Sequence, residues 1–248
     1  MLFRKQKQMQ IKAVLFDMFD TLVLIDRNYE FYNPAVARMH KHVVKHGVEV
    51  LFEQFYGAYV TARDKLYADA EPTLEEPHFN RRIKNALQLL GYNYTISDPI
   101  VTGATVEFCN EFSKHTRADQ NAIPVLQELC KNYKLGVISN FAIPECVDSL
   151  LNDCKLNGFF DAVVVSAKVN KRKPSPEIFQ DTLKSMGISA ENAAFVGDTA
   201  DADVAGAHAV GMKAVYIRRR VEQTLERFKP DVTIESLADL PLAVKALG

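Results

Sequence analysis

Ile11-Lys12-Ala13-Val14-Leu15-Phe16-Asp17-Met18-Phe19-Asp20-Thr21-Leu22 is the stretch that decides the fold. Its first six residues form a short, nearly continuous apolar run. That is the pattern of a strand buried on both faces. The run stops at a carboxylate, Asp17, which places a charge at the strand's exposed end. Asp17 there is open to two readings, an ordinary turn-capping Asp or a nucleophile desolvated on one side.

Similar apolar runs recur in the second half, at Leu135 to Ile138, Ala162 to Val165, Ala193 to Val196 and Ala214 to Ile217, with a weaker one at Asp231 to Ile234. Between them lie helix-length amphipathic stretches: Ile123 to Tyr133, Pro144 to Leu151, Pro176 to Met186 and Asp203 to Val210. Gly187 and Gly211 follow the last two, where a helix C-cap is expected. Alternating buried strands and helices predict an α/β chain with a parallel sheet covered on both faces.

The second strand comes about 120 residues after the first, far beyond an ordinary crossover. The interval reads as helices over Pro34 to His46, Leu51 to Tyr67, Phe79 to Leu90 and Val101 to His115, punctuated by Gly47, Pro72, Pro77, Gly91 and Pro99. An all-helical insert is therefore expected over 27–116, interrupting a core of 11–26 and 117–248, with 1–10 a disordered tail. The insert departs from the carboxyl end of the first strand, where ligands bind in open parallel sheets. Its expected role is a cap over a site.

The chain of 248 residues carries a net charge of −1, with 48% hydrophobic and 25% charged residues. The apolar share is enough for a core, and there is no basic excess to suit nucleic acid as the main partner. No run approaches a membrane span, and the start lacks the apolar region of a secretory signal. Cys109, Cys130, Cys146 and Cys154 form no C-x-x-C pair. They read as free, mostly buried thiols of a cytoplasmic protein.

Three more segments fall at strand ends. Ser139 and Asn140 could hydrogen-bond an anion or simply cap a helix. Lys173, between Arg172 and Pro174, could neutralise a carboxylate and a bound anion together, although a basic run is usually solvated surface. Gly197-Asp198-Thr199-Ala200-Asp201-Ala202-Asp203 places three carboxylates near one strand end. They would repel one another without a cation such as Mg²⁺, which accepts one or two protein carboxylates, waters and phosphate oxygens. Asp203 could also be an N-cap.

In this order, Asp17-x-x-x-Thr21, Ser139, Lys173-Pro174 and Gly197-Asp198-x-x-x-x-Asp203 resemble the four motifs of the haloacid dehalogenase-like hydrolase superfamily. The insert resembles that of the subgroup with a helical cap between the first two motifs. The resemblance implies a doubly wound parallel Rossmann-like sheet with an inserted all-helical cap domain. It implies Asp17 as nucleophile, with Thr21 and Ser139 hydrogen-bonding the transferring group or the nucleophile, and Lys173 holding their charge. It implies Mg²⁺ on Asp17, Asp198 and the main-chain carbonyl of Phe19, supported by Asp203. Phe19 and Asn140 would border the substrate.

Phe19 departs from the phosphatase pattern. Phosphatases of this superfamily carry a second Asp there as acid and base, and Phe19 moves no proton. On an extended chain Asp20 would face away from Asp17. An aromatic here is similar to the metal-independent 2-haloacid dehalogenases, but Gly197-Asp198 with Asp203 is similar to an intact Mg²⁺ site. The expected function is thus a Mg²⁺-dependent phosphatase on a small phosphorylated metabolite, slow or selective for acyl or aryl phosphates. A 2-haloacid dehalogenase and a catalytically silent phospho-ligand binder are the alternatives, and a monomer or homodimer is expected. Arg38 and Arg63 are halide-binding candidates for the dehalogenase. His40, His42 and His46 read as a solvated or cap-edge helix face, and Arg218-Arg219-Arg220 as solvated surface. Asp17, Asp198, Asp201 and Asp203 are expected to converge.

Overall fold

The computed structural model describes residues 10–26, 30–219 and 223–248. Most of the 1–10 tail, the start of the insert and Arg220 lie outside the described residues. The core strands are β1 (Ala13–Phe16), β4 (Lys134–Ser139), β5 (Ala162–Val165), β6 (Ala193–Gly197), β7 (Lys213–Ile217) and β8 (Val232–Ile234). They form one parallel sheet in the order β5-β4-β1-β6-β7-β8.

Successive side chains of a strand point to opposite faces. In β1, Val14 and Phe16 join one apolar cluster while Ala13 and Leu15 join the other. This explains why the run is continuous rather than alternating. The first face is covered by α5 (Ala122–Leu129), α6 (Pro144–Asp153) and α10 (Leu240–Leu247). The second is covered by α8 (Pro176–Met186) and α9 (Ala205–Val210). A short α7 (Ser166–Val169) follows β5. The sheet is doubly wound, as expected.

The helical insert is α1 (Tyr32–Lys45), α2 (Phe52–Ala70), α3 (Asn80–Leu89) and α4 (Pro99–Phe112). α1 packs on α4 and α2 on α3. It sits on an antiparallel ribbon of β2 (Val23–Ile25) and β3 (Thr116–Ala118), which the apolar pattern had not suggested because each strand has only three residues. The segment after α2 then docks on the core: the Arg172 N–H donates to Leu74 O at 2.8 Å and the Phe79 N–H to Ala142 O at 2.9 Å.

Four expectations need correction. Only Cys146 among the four free thiols is buried; Cys130 is exposed. Arg219 is not solvated surface: its guanidinium binds the Asp20 and Thr21 carbonyls at 2.9 and 3.0 Å and the Asp119 carboxylate at 2.8 Å. His42 is not a solvated face, since its ring fills the space over Gly103. The helix expected over Asp203 to Val210 does not start at Asp203. A π-helical turn, Ala200–Val204, precedes α9.

Candidate active site

β1 is central, with β4 on one side and β6 on the other. The strand order reverses there, and such a switch point opens a crevice at the carboxyl ends. Phe16 is level with Val137 and Val196, and the Asp17 N–H donates to Val196 O at 2.8 Å. The register therefore brings Asp17, Ser139 and Asp198 to one edge.

Lys173 arrives from the loop before α8 and is 3% exposed. Its ammonium lies 2.5 Å from Asp17 Oδ1 and 2.8 Å from Asp203 Oδ1. Asn140 holds it there by its main chain: the Lys173 N–H donates to Asn140 Oδ1 at 2.8 Å, and Asn140 Nδ2 donates to Lys173 O at 3.0 Å. The Asn140 amide, expected to face substrate, is thus committed to positioning Lys173, although the residue also borders the pocket.

Asp203 reaches the cluster because of the π-helical turn and Gly197. The Thr199 N–H donates to Asp203 Oδ2 at 3.0 Å. A Cβ on Gly197 would lie 2.2 Å from that oxygen. Asp17, Asp198 and Asp203 each offer an oxygen within 4.8 Å of the others, and all three are buried. Asp201 is exposed and takes no part. It sits two residues before Asp203, on the outward side of the turn.

The electrostatics follow from burial. Burial pushes the Asp17 carboxyl up to about 7, Lys173 pulls against it, and Asp203 and Asp198 add to the rise. Burial disfavours the Lys173 ammonium, but Asp17 and Asp203 outweigh it and hold that group above its ordinary range. Three buried carboxylates against one ammonium leave negative charge in excess. An all-oxygen donor set of this kind suits a hard divalent cation.

A pocket of about 210 Å³ opens onto Asp17, Phe19, Lys173, Asp198 and Asp203. Thr21 and Ser139 lie behind it, fully buried, and their hydroxyls have no hydrogen-bond partner among the described residues. An unpaired buried hydroxyl costs roughly 1–3 kcal/mol. An oxyanion would offset that cost.

Asp20 does not face away as an extended chain would require. The backbone turns sharply after Met18, with Asp20 at φ 54°, and Asp20 borders the pocket beside Phe19. Its Oδ1 accepts the Ile25 N–H at 3.1 Å. Phe19 packs against Phe112 and Phe141, with ring centroids 5.5 and 4.8 Å apart. Arg38 and Arg63 are engaged elsewhere, with Glu107 and with Asp64 and Tyr32.

A family model described as haloacid dehalogenase-like hydrolase matches residues 11–211. The chain belongs to that family. Among relatives of this hydrolase, a glyceraldehyde 3-phosphate phosphatase of Methanocaldococcus jannaschii is 30% identical over 240 residues, covering 96% of this chain and 98% of the relative. A protein of the same name from Methanopyrus kandleri is 27% identical over 237 residues, covering 93% and 94%. In fold, the hydrolase is similar to a 2-haloacid dehalogenase from Pseudomonas syringae pv. Tomato DC3000, with a TM-score of 0.71, 24% identity and 96% and 100% coverage.

Arg82 and Glu76 were missed from the sequence. Charged residues in the insert look like a solvated helix face until α3 is packed, and then Arg82 and Glu76 are 7% and 6% exposed. Only the spacing of Arg82 with the apolar positions Phe79, Ile83 and Ala86 could have marked it as inward-facing.

Proposed function

We propose that this hydrolase is a Mg²⁺-dependent phosphatase of a small phosphorylated metabolite, with 27–116 acting as a helical cap over the core. The observation that carries the reading is the buried cluster of Asp17, Lys173, Asp198 and Asp203 at one pocket edge. The names of the relatives support the same class of substrate and make glyceraldehyde 3-phosphate the first to assay.

Mg²⁺ held by the carboxylates of Asp17 and Asp198 and the carbonyl of Phe19, with Asp203 in support, would neutralise charge on the phosphate oxygens. Lys173 binds the same group from the other side and favours the ionised form of Asp17 against the effect of burial. The Thr21 and Ser139 hydroxyls donate to the phosphate or to Asp17. An oxygen of Asp17 attacks phosphorus and the bond to the leaving oxygen breaks. Water then attacks the phosphorus of the acylphosphate, which releases inorganic phosphate and restores Asp17.

Phe19 supplies no proton to the leaving oxygen. General acid–base help is worth about 10²–10⁴ in rate, so alkyl phosphates should be turned over slowly and acyl or aryl phosphates faster. The site has no need of a membrane, and no helix among the described residues is long and apolar enough to cross one. A cytoplasmic location suits the free thiols.

The test is a paired assay. One arm follows phosphate release from acyl, aryl and alkyl phosphates with Mg²⁺ and with chelator. The other follows halide release from 2-haloacids without metal. Phosphate release that stops with chelator, and is lost in Asp17→Asn, is expected. Metal-free halide release with no phosphate release would overturn the reading.

A further inference from the structure

A second cavity adjoins the first. It encloses about 110 Å³ between the helical insert and the core, and its wall includes Tyr67, Glu76, Arg82, Asn140 and Phe141. Asn140 borders both cavities. Phe141 of the second packs on Phe19 of the first. A substrate with its phosphate beside Lys173 therefore meets this space next. At roughly 30 Å³ per water it holds three or four waters, or a two- to three-carbon oxygenated fragment.

Its polar wall is a built device. The Arg82 guanidinium lies over the rings of Tyr67 and Phe79, at 4.6 and 5.0 Å, and its Nη2 donates to the Tyr67 hydroxyl at 2.7 Å. The same Nη2 is 3.8 Å from Glu76 Oε1, too far for a hydrogen bond. Burying a charged pair without close contact is costly, and an apolar pair would serve packing better. The pair instead presents a fixed donor and a fixed acceptor to one small cavity.

Resting on the phosphatase reading above, we propose that Arg82 and Glu76 select the hydroxyl-bearing end of a short polyol or hydroxyaldehyde phosphate. A hydroxyl accepts from Arg82 and donates to Glu76 at once. A second carboxylate meets the Arg82 donors but is repelled by Glu76. A bare alkyl tail leaves both charges unsolvated. Recognition of this type rejects analogues that lack the polar group far more strongly than apolar pockets reject one methylene.

The experiment compares kcat/KM for glycerol 1-phosphate, 3-phosphoglycerate and propyl phosphate. All three have poor leaving groups, so Phe19 affects them alike. Wild-type protein is expected to prefer glycerol 1-phosphate over each of the others by about tenfold or more. Glu76→Gln keeps the shape and removes the repelling charge. It should narrow or reverse the gap to 3-phosphoglycerate, with circular dichroism confirming the fold. An equal wild-type ranking, a wild-type preference for 3-phosphoglycerate, or a folded Glu76→Gln with the wild-type ratio would overturn the proposal alone. If Glu76→Gln does not fold, the wild-type ranking decides. No phosphate release from these esters or from an acyl phosphate would overturn the phosphatase reading and this proposal with it.

Discussion

Gly197 admits Asp203 to the end of β6 because it has no side chain there. The Cβ of an alanine would sit 2.2 Å from Asp203 Oδ2, and Asp203 is held from its other side by Lys173. Neither neighbour is a loose chain end that can swing away. Gly197→Ala should cost about 1–3 kcal/mol of stability by overpacking. It should also reduce Mg²⁺-dependent phosphate release more than about tenfold, a loss of transition-state stabilisation above about 1.4 kcal/mol. Thermal melts and a phosphate assay would check both, and wild-type turnover would show that Asp203 is not needed where it stands. Phe19 is the opposite case, a side chain filling a position where an acid would help. Phe19→Asp should speed alkyl phosphates relative to acyl phosphates, by up to about 10²-fold. The absolute gain will be smaller, because the Phe112 and Phe141 contacts are lost. The measurement is the ratio of kcat/KM for the two substrate types, and an unchanged ratio would sink the leaving-group account.

At the scale of elements, the loop after β1 is held from a distance. Arg219, just beyond β7, binds the main-chain oxygens of Asp20 and Thr21 and the carboxylate of Asp119, beyond β3. One planar fork thus joins the turn that follows Asp17 to the return ribbon of the insert. A lysine cannot reproduce that fork. Arg219→Lys should lower kcat more than it changes KM, because it loosens the turn carrying Asp17 and Phe19 rather than touching substrate. Steady-state kinetics on an aryl phosphate would test this, and a change in KM alone would argue against it.

The sheet edge gives a pH prediction. Burial opposes ionisation of Asp231, but Lys213, the Ala214 N–H and His208 outweigh it, and the carboxyl is held below its ordinary value of 3.8. A carboxyl depressed in the folded state contributes stability above its unfolded value, and that contribution is lost as pH falls through the folded value. Asp231→Asn should therefore cost about 1–2 kcal/mol at neutral pH from lost hydrogen bonds, with the gap to wild type closing in acid. Urea melts at several pH values would measure it. A gap that is independent of pH would mean the charge is irrelevant.

At the scale of the whole molecule, the excess negative charge of the buried carboxylates couples metal to stability. A ligand that binds only the folded state adds about 2.7 kcal/mol at a hundredfold excess over its Kd. Added Mg²⁺ should raise Tm, and the rise should vanish in Asp198→Asn. An equal rise in that variant would place the ion elsewhere.

How much of this was legible is clearest residue by residue. Asp17, Lys173, Asp198 and Asp203 could be marked as candidates because each lies near a buried strand's end or a proline, and the order of the four segments, which resembles the hydrolase motifs, then implied their roles. The parallel sheet was legible because a strand covered on both faces must be apolar throughout. Asp201 was grouped with them because spacing does not say which side of a π-helical turn a residue takes. Asn140 was expected to face substrate, yet its amide finds the Lys173 main chain 33 residues away. The β2–β3 ribbon escaped notice because three-residue strands 91 residues apart carry no pattern of their own. The sequence by itself determined the doubly wound core, the helical insert and the residues available for chemistry, because periodicity and strand-end placement are local properties of a chain. Only the tertiary structure decided that Arg219 braces the nucleophile loop and that Arg82 and Glu76 face a cavity, because a charged side chain looks solvated until its partner, distant in sequence, is packed against it.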